Sequence, residues 1–548
     1  MKFQAKKNGK HAPARDFSRY TYYGLILLII LFFAFIRFRL RDVPLERDEG
    51  EYAYAGQLIL QGIPPYQLAY NMKLPGTYAA YALILAAFGQ TPAAIHIGLL
   101  LINAATTVLV YFLGRRLCGQ LAGVVAAAAY ALLSASPSVL GLAGHATHFV
   151  VLPALGGILL LLNAIDGQKP RFFFLSGLLF GLAFLMKQPG IFFLLFAALY
   201  LLKAEWKRPV DWAGVATRMG SLLSGAALPF AITCAVLLAA GVFEAFWFWT
   251  FSYAQQYAAR LSLAEGISIL HDTLPLVMQP AIFVWLIAAV GISALFWNRD
   301  LRAHAAFIGG FVVFSFLAVC PGFYFREHYF ILLLPAAALL TGIAVDSAAR
   351  FAKKSGGAKA AALVPAGFFV LAFSASVLQQ RAFFFEMNPR DECRATYGPN
   401  PFPEAVTIAN YLALNMPADG RIAILGSEPE IYFYSRRHST SGYIYVYPLM
   451  EDQPYAMAMQ KEMIGDIEKA NPEFLLFVEV SYSWLARPGS PQLQSLLSWA
   501  DGYISRGYQL VGIADIIGPH QTEYRWEDQA KTYQPQSANV VRIFRRNK

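Results

Sequence analysis

Charged residues are scarce in this sequence. Asp, Glu, Lys and Arg make up 14% of its 548 residues, against roughly 25% in soluble globular proteins. So few charges cannot cover the surface of a water-soluble chain of this length. Hydrophobic residues make up 57%, and the mean hydropathy is +0.45. The composition excludes a soluble multidomain protein and a disordered chain, and it predicts a polytopic membrane protein.

Cysteine is also rare, with four residues in the whole chain. A disulfide-stapled scaffold is therefore excluded. Cys118 falls in a predicted cytoplasmic loop, and Cys393 is the one cysteine predicted to lie clearly on the extracytoplasmic side. A single external thiol has no partner for an intramolecular disulfide.

Acidic residues are fewer than basic ones, which gives a formal net charge of +10. In a membrane protein an excess of Lys and Arg reports which loops face the cytoplasm. The charge is therefore interpreted as topology, and no nucleic-acid partner is predicted.

Long apolar stretches dominate the first 380 residues, and a span needs about 20 mostly apolar residues. Predicted spans lie at roughly 20–40, 93–113, 120–140, 146–165, 171–186, 190–202, 217–241, 274–296, 305–320, 328–347 and 360–380. The stretch 75–89 is predicted to be re-entrant or to lie on the surface. The count rises to 13 if 205–241 or 75–113 hides one more pair.

Basic residues set the expected orientation. The N-terminal tail carries Lys2, Lys6, Lys7, Lys10, Arg15 and Arg19, and alternate short connections carry Arg115-Arg116, Lys169/Arg171, Lys203/Lys207/Arg208, Arg299/Arg302 and Arg350/Lys353/Lys354/Lys359. These features predict a cytoplasmic N-terminus and an extracytoplasmic C-terminus in the inner membrane. Residues 1–380 are then a transmembrane domain whose first periplasmic loop is 41–75.

The composition changes at about residue 381, where polar residues return. Strands are predicted at 421–427, 443–448, 473–480, 509–516 and 539–544, with helices at 403–416, 454–470 and 491–506. This alternation predicts a periplasmic α/β domain over 381–548. It has no Gly-rich phosphate motif, so the tail is expected to act as a lid or in acceptor recognition.

The few charges predicted to face outward are candidate site residues. Asp48, Glu49, Glu51 and Tyr52 follow the first span, at a predicted helix start that by itself explains only one acid. The other candidates for substrate or phosphate binding are Lys73, His148, Lys187, Arg260, Arg326 and His328. Each alone has an ordinary explanation, such as snorkelling for Lys73.

Carboxylates and cations at one membrane face suit one type of reaction. Cations bind a lipid-linked phosphate, and a carboxylate can act as general base toward an attacking hydroxyl or amine. Transfer of a sugar from a phospholipid carrier needs both, and a single displacement inverts the anomeric centre. No obligatory cofactor is predicted. Ligation of Mg²⁺ or Mn²⁺ by the acids and histidines is the alternative use of the same residues.

Several segments resemble the bacterial branch of the protein O-mannosyltransferase family, whose relatives include the lipid A aminoarabinose transferase. The matching segments are RDEGEYAYAGQLILQGIPPY (47–66), MKLPGTYAAYALILAAFG (72–89), HATHFVVLP (145–153), FLMKQPG (184–190), FREHYFILLLPAAALLTG (325–342) and GSEPEIYFYSRR (426–437). The resemblance implies a GT-C glycosyltransferase fold, a polyprenyl-phosphate sugar donor and an extracytoplasmic lipid, glycan or protein acceptor. It also implies that Asp48 is the catalytic carboxylate with Glu49 beside it, and that Lys73 contacts the carrier phosphate.

Two departures separate the chain from the aminoarabinose transferase. Met72 stands where that enzyme has an acid before the lysine, and Glu51 stands where it has an arginine. Aminoarabinose transfer to lipid A is therefore not expected, and the sugar, acceptor and oligomeric state stay open. The alternative functions are a secondary transporter or flippase for a charged lipid, which should show inverted repeats, and a non-catalytic anchor for envelope enzymes.

Overall fold

The computed structural model describes residues 17–206, 210–354 and 363–547. The basic N-terminal residues up to Arg15, together with Lys207, Arg208 and Lys359, lie outside the described residues. The described part is a bundle of apolar helices followed by a mixed α/β region.

The helices are α1 (Phe17–Arg39), α2 (Arg47–Leu60), α3 (Gly76–Phe88), α4 (Pro92–Cys118), α5 (Gln120–Ala135), α6 (Ala146–Gly167), α7 (Pro170–Met186), α8 (Ile191–Glu205), α9 (Trp212–Ala239), α10 (Phe243–Trp247), α11 (Ala254–Ala258), α12 (Leu263–Met278), α13 (Ile282–Trp297), α14 (Ala305–Leu317), α15 (Leu334–Lys354), α16 (Val364–Gln379), α17 (Pro389–Tyr397), α18 (Phe402–Asn415), α19 (Pro429–Ser435), α20 (Tyr447–Met450), α21 (Ala456–Ala470), α22 (Pro491–Gly507) and α23 (Asp528–Thr532). The strands are β1 (Arg421–Leu425), β2 (His438–Ser439), β3 (Phe474–Val478), β4 (Tyr508–Gly518), β5 (Gln521–Trp526) and β6 (Val540–Arg546).

Each predicted span coincides with an apolar helix. Within the described residues, eight helical stretches are long and apolar enough to cross a membrane, and four more apolar helices have 10–17 residues. The predictions at 120–140, 171–186 and 360–380 correspond to the shorter helices α5, α7 and α16. The protein is therefore an integral membrane protein, as its composition predicts.

Helix α3 occupies the stretch predicted to be re-entrant. Its 13 residues extend about 20 Å at 1.5 Å per residue, which is short of the roughly 30 Å hydrocarbon core. Tyr78 and Tyr81 on this helix are fully buried. Helix α3 packs against α2 and α4, so its apolar residues are used in packing rather than in spanning.

The C-terminal region contains a six-stranded sheet with the order β2-β1-β3-β6-β4-β5. Strands β2, β1 and β3 are parallel, whereas β6, β4 and β5 are antiparallel to their neighbours. Four of the five predicted strands are confirmed as β1, β3, β4 and β6. The three predicted helices are confirmed as α18, α21 and α22.

The strand predicted at 443–448 is wrong. This segment is irregular and then enters α20. The Tyr443 hydroxyl donates to Glu462, and the Tyr445 hydroxyl donates to the Arg47 carbonyl oxygen at 2.9 Å. Because the tyrosine hydroxyls of this segment bind other elements of the protein, the alternation of tyrosine with aliphatic residues at 443–448 does not correspond to a strand of the sheet.

The first loop and the C-terminal sheet share one hydrophobic core. Leu45, Tyr54 and Leu58 belong to the same buried cluster as Ile424 and Leu476 of the sheet. Hydrogen bonds also cross this contact, because the Leu45 amide donates to the Tyr434 hydroxyl and the Ser439 amide to the Tyr54 hydroxyl, both at 2.8 Å. The helix α2 is therefore held between the membrane helices and the sheet.

Gly50 lies at the closest contact of this interface. A Cβ atom at this position would lie 2.6 Å from the Glu430 backbone nitrogen and 2.7 Å from the Glu430 Cβ atom. Both are atoms of α19 that cannot move without moving the helix. Only glycine allows α2 to approach α19 so closely.

We expect Gly50→Ala to lower the free energy of unfolding by about 1–3 kcal/mol, as other overpacked contacts do. Gly465→Ala is the matched control, because Gly465 is exposed on α21 with no atom within 4 Å of a new Cβ. The control should be neutral or stabilising by up to about 1 kcal/mol, because Ala is the better helix former. Thermal unfolding in detergent measures both, and equal effects of the two substitutions would contradict the close contact of α2 with α19.

Candidate functional site

The acids at the start of α2 have separate roles. Glu46 is the N-cap, and its side chain accepts a hydrogen bond from the Glu49 amide at 2.9 Å. One acid is therefore enough to cap the start of the helix. Asp48, Glu49 and Glu51 are left for other contacts.

Lys73 is held between two of these acids. Its Nζ lies 2.8 Å from Asp48 Oδ1 and 2.7 Å from Glu51 Oε2. The ammonium also lies 4.6 Å from the centre of the Tyr52 ring. Burial alone would lower the pKa of Lys73, but the two carboxylates hold it well above its usual range. Lys73 is therefore a permanent cation.

The same contacts distinguish the two carboxylates. Burial would raise the pKa of Asp48, but Lys73 and then His145 hold it well below its usual range. Burial raises the pKa of Glu51 despite the opposing charge of Lys73. Asp48 has 26% of its side chain exposed and Glu51 none. Asp48 is thus the ionised carboxylate that a substrate can reach.

Packing of the loop before α3 fixes the position of Lys73. The Thr77 hydroxyl donates to the Met186 carbonyl at 2.8 Å, and Gln188 Nε2 donates to the Met72 carbonyl at 2.7 Å. Both contacts join this loop to the turn between α7 and α8. That turn also carries Lys187.

A cavity of about 410 Å³ lies beside Asp48 and Lys73. Its walls come from the turn between α7 and α8, from α11, from the segment before α15, and from the sheet domain at α20. Five of the ten predicted site residues line it: Asp48, Lys73, Lys187, Arg326 and His328. Half of the predicted site residues therefore lie around one cavity, and their roles stay predictions.

Two of the lining cations have no carboxylate within ion-pair distance among the described residues. Lys187 Nζ lies 4.1 Å from the centre of the Tyr329 ring, and Arg326 lies 5.9 Å from that of Tyr324. Burial lowers the pKa of Lys187 to about 7. Lys187 is therefore partly protonated at neutral pH, and an anion entering the cavity would favour its charged form and pair with both Lys187 and Arg326.

The remaining predicted residues lie elsewhere. Arg260 pairs at 2.7 Å with Glu451, which lines the cavity. Glu51 and Tyr52 contact the Lys73 ammonium but do not line the cavity. Glu49 does not line the cavity: it contacts His96 Nε2 at 3.1 Å and accepts from the Gly144 amide. His148 is buried in α6, also away from the lining.

His145 takes the place expected for His148. Its Nδ1 lies 3.7 Å from Asp48 Oδ2, and its ring stacks on His328 with centroids 4.0 Å apart. The sequence placed both histidines at one turn but gave no basis for choosing between them. Only the start of α6 at Ala146 directs His145, and not His148, toward Asp48.

The sequence predicts a role for the C-terminal region but does not identify the residues that line the cavity. Tyr445, Tyr447 and Glu451 line the cavity, and the Tyr445 hydroxyl lies 3.3 Å from Asp48 Oδ1. These residues are about 400 positions from Asp48 in the chain, so spacing cannot connect them. The density of tyrosines between 443 and 447 was the one available signal, and it was interpreted as a strand.

Asp48, His145 and His328 form a set that could hold a metal ion, each offering one ligand atom within 4.8 Å of the others. Within the part of the chain that the structure describes, neither ring nitrogen of His145 nor Nδ1 of His328 has a hydrogen-bond partner. Burial, followed by the charges of His145 and Lys187, holds the pKa of His328 well below its usual range, so its imidazole is neutral. One carboxylate with two imidazole ligands fits Mn²⁺ or Zn²⁺ better than Mg²⁺.

The family described as dolichyl-phosphate-mannose-protein mannosyltransferase matches residues 73–223. The expected resemblance is therefore confirmed over this part of the chain, which includes Lys73 and Lys187. A comparison with curated proteins finds no similar sequence.

Three solved structures have a similar fold. ArnT from Cupriavidus metallidurans bound to undecaprenyl phosphate is 14% identical, with a TM-score of 0.55 over 97% of this chain and 98% of that one. The oligosaccharyltransferase AglB from Archaeoglobus fulgidus, in complex with an inhibitory peptide and a dolichol-phosphate, is 12% identical, with a TM-score of 0.52 over 94% and 75%. An Archaeoglobus fulgidus oligosaccharyltransferase complex with Zn and sulfate is 12% identical, with a TM-score of 0.51 over 92% and 73%. The chain has the predicted GT-C fold.

The two cavity lysines should respond in different ways to the same substitution. Lys73→Met leaves Asp48 and Glu51 without their cation, so we expect a loss of about 3 kcal/mol in the free energy of unfolding at pH 7. Lys187→Met removes a cation that has no acidic partner. It loses only the contact with Tyr329, so the change should stay within about 1 kcal/mol.

Thermal unfolding of the purified protein in detergent at pH 7 compares the two variants. Both variants replace a lysine of the same cavity by methionine, so the two proteins lose the same amount of side-chain packing. A Lys187→Met variant as unstable as Lys73→Met would contradict the assignment of paired and unpaired cations.

Proposed function

We propose that the protein is an integral-membrane glycosyltransferase that moves a sugar from a polyprenyl-phosphate donor to an extracytoplasmic acceptor. The observation that carries this proposal is one cavity that contains an ionised, reachable carboxylate and two cations without acidic partners. The GT-C fold and the lipid phosphates bound in ArnT and AglB support it.

The two unpaired cations suit the donor phosphate. Lys187 and Arg326 would contact the non-bridging oxygens of the phosphodiester that joins the sugar to the lipid. As the sugar leaves, the phosphate gains a second negative charge, and these cations stabilise it. A strong general acid is then unnecessary for departure of the leaving group.

Asp48 is the proposed catalytic carboxylate. It would accept the proton of the attacking acceptor hydroxyl or amine while the acceptor atom bonds to the anomeric carbon. The bond from that carbon to the phosphate oxygen breaks, and both electrons leave with polyprenyl phosphate. Attack opposite the leaving group inverts the anomeric centre. Lys73 would keep Asp48 ionised and oriented.

A divalent cation is the second proposal for this site. In this alternative Asp48 would be a metal ligand instead of the base: Asp48, His145 and His328 would hold the cation, and its charge would add to that of Lys187 and Arg326 beside the donor phosphate. The Zn and sulfate in the oligosaccharyltransferase complex support such a site in this fold. We expect chelation followed by Mn²⁺ addition to abolish and restore transfer; full turnover in chelator would remove the cation from the reaction.

We propose that residues 1–380 form the transmembrane catalytic domain and that 381–548 form a periplasmic domain that closes the cavity through Tyr445, Tyr447 and Glu451. A transporter is disfavoured because the ionisable residues cluster in one cavity beside this domain. An anchor protein would leave that cavity without a use.

Orientation can be tested by labelling single cysteines in a background without the four native ones. Gly465 and Gly167 are both exposed glycines with open space around them. A Gly465→Cys variant should react with a membrane-impermeant maleimide in intact cells, with the outer membrane permeabilised. Gly167→Cys should react only after the inner membrane is opened. The reverse pattern would contradict the proposed topology.

The proposed function is tested by transfer assays with Asp48→Asn. Purified protein is given polyprenyl-phosphate sugars and envelope acceptors, and release of polyprenyl phosphate is measured. Loss of the carboxylate should slow release by about 10²–10⁴-fold. Asp42→Asn is the matched control, because the Asp42 side chain is 59% exposed and, among the described residues, forms an ion pair with Arg41 alone. Equal rates for Asp48→Asn and wild type would refute the assignment.

A further inference from the structure

The charges around the cavity restrict the sugar that it can hold. Two acids line it, Asp48 and Glu451, and each is already paired with a cation. The lining cations Lys187 and Arg326 have no acidic partner within the described residues. A sugar ammonium entering this cavity would therefore meet free cations, and the one carboxylate oxygen left for it would be Asp48 Oδ2, at the proposed reaction centre.

Glu451 has both of its oxygens engaged. Arg260 lies 2.7 Å from Oε1, and the Tyr253 hydroxyl donates to Oε2 at 2.5 Å. Only 11% of the Glu451 side chain is exposed. An ammonium could bind Glu451 only by displacing Arg260, and this would leave a second cation without a partner.

Asp48 is occupied in a similar way. Lys73 and the Tyr445 hydroxyl bind Oδ1, while Oδ2 faces the ring of His145 at 3.7 Å. Under the proposed function, Oδ2 is the atom that receives the acceptor proton. A sugar substituent placed there would block the reaction.

The rest of the wall suits an uncharged sugar. Tyr70, Tyr253, Tyr257, Tyr329, Tyr445 and Tyr447 line the cavity. Tyrosine combines an apolar ring face with a hydroxyl, which matches the C–H faces and hydroxyl groups of a pyranose. The amides of Gln188 and Gln255 add neutral hydrogen-bonding groups.

We infer that the donor sugar carries no ammonium group, and that the Arg260–Glu451 pair excludes amino sugars by occupying the one cavity carboxylate outside the reaction centre. This inference rests on the proposed function and names the substrate class of the same site. The lipid phosphate supplies the only charge that the free cations require. A neutral hexose or pentose then fills the tyrosine-lined space.

The test is a binding competition at pH 7 with two polyprenyl-phosphate donors. One carries a neutral hexose, and the other carries the same hexose with one hydroxyl replaced by a primary amine. Each displaces labelled polyprenyl phosphate from the purified full-length protein. We expect the neutral donor to bind at least about tenfold more tightly, because an unpaired charge in a site is strongly disfavoured.

Two variants test whether the Arg260–Glu451 pair causes the preference for the neutral donor. Arg260→Gln frees Glu451, so the preference for the neutral donor should shrink by about tenfold, which is the effect of one charge-assisted hydrogen bond. The double variant Arg260→Gln with Glu451→Gln removes that carboxylate and should restore the preference. A purely structural role of Arg260 would weaken binding of both donors equally and leave their ratio unchanged.

The outcomes separate the two proposals. The inference about the sugar would be overturned if the wild type bound the amino donor equally or more tightly, or if Arg260→Gln left the ratio of the two affinities unchanged. Transfer of either sugar would still uphold the proposed function. Donors that bind with the expected ratio but are never turned over would instead refute the glycosyltransferase assignment.

Discussion

The site depends on the burial of the Lys73 ammonium between Asp48 and Glu51. A buried charge is tolerated only when it is paired and hydrogen-bonded, and here two carboxylates on successive turns of α2 enclose one lysine from the next loop. The arrangement leaves Asp48 ionised and partly exposed while Glu51 is sealed in the interior. One ion cluster thus orients the carboxylate proposed to be catalytic and fixes the loop that carries Lys73.

This cluster has a stable position because α2 is packed on two sides. The membrane helices lie below it through α3 and α4, and the C-terminal domain lies above it through Gly50 and α19. Arg47 adds an ion pair to the buried Glu428 at 2.8 Å. The C-terminal region therefore supplies both the support for α2 and, with Tyr445 and Tyr447, part of the cavity wall.

Much of this architecture could be predicted from the sequence. Long apolar stretches located the membrane helices, and the scarcity of charge made Asp48, Lys73, Lys187, Arg326 and His328 conspicuous before any of them was placed in space. What could not be predicted depends on tertiary contact. His145 and His148 are three residues apart on one turn, and only the packed helix decides which of them faces Asp48. Tyr445 reaches Asp48 from the far end of the chain, and its tyrosine-rich segment has the composition of a strand although its hydroxyls bind other elements.

The central claim is that Lys187 and Arg326 bind a lipid-linked phosphate in this cavity. Equilibrium binding of polyprenyl phosphate to wild type and to the Lys187→Gln/Arg326→Gln double variant measures this most directly, with thermal unfolding used to verify that both are folded. The claim predicts that the double variant binds at least about tenfold more weakly, because two charge-assisted contacts are lost. Equal affinity of two folded proteins would contradict it.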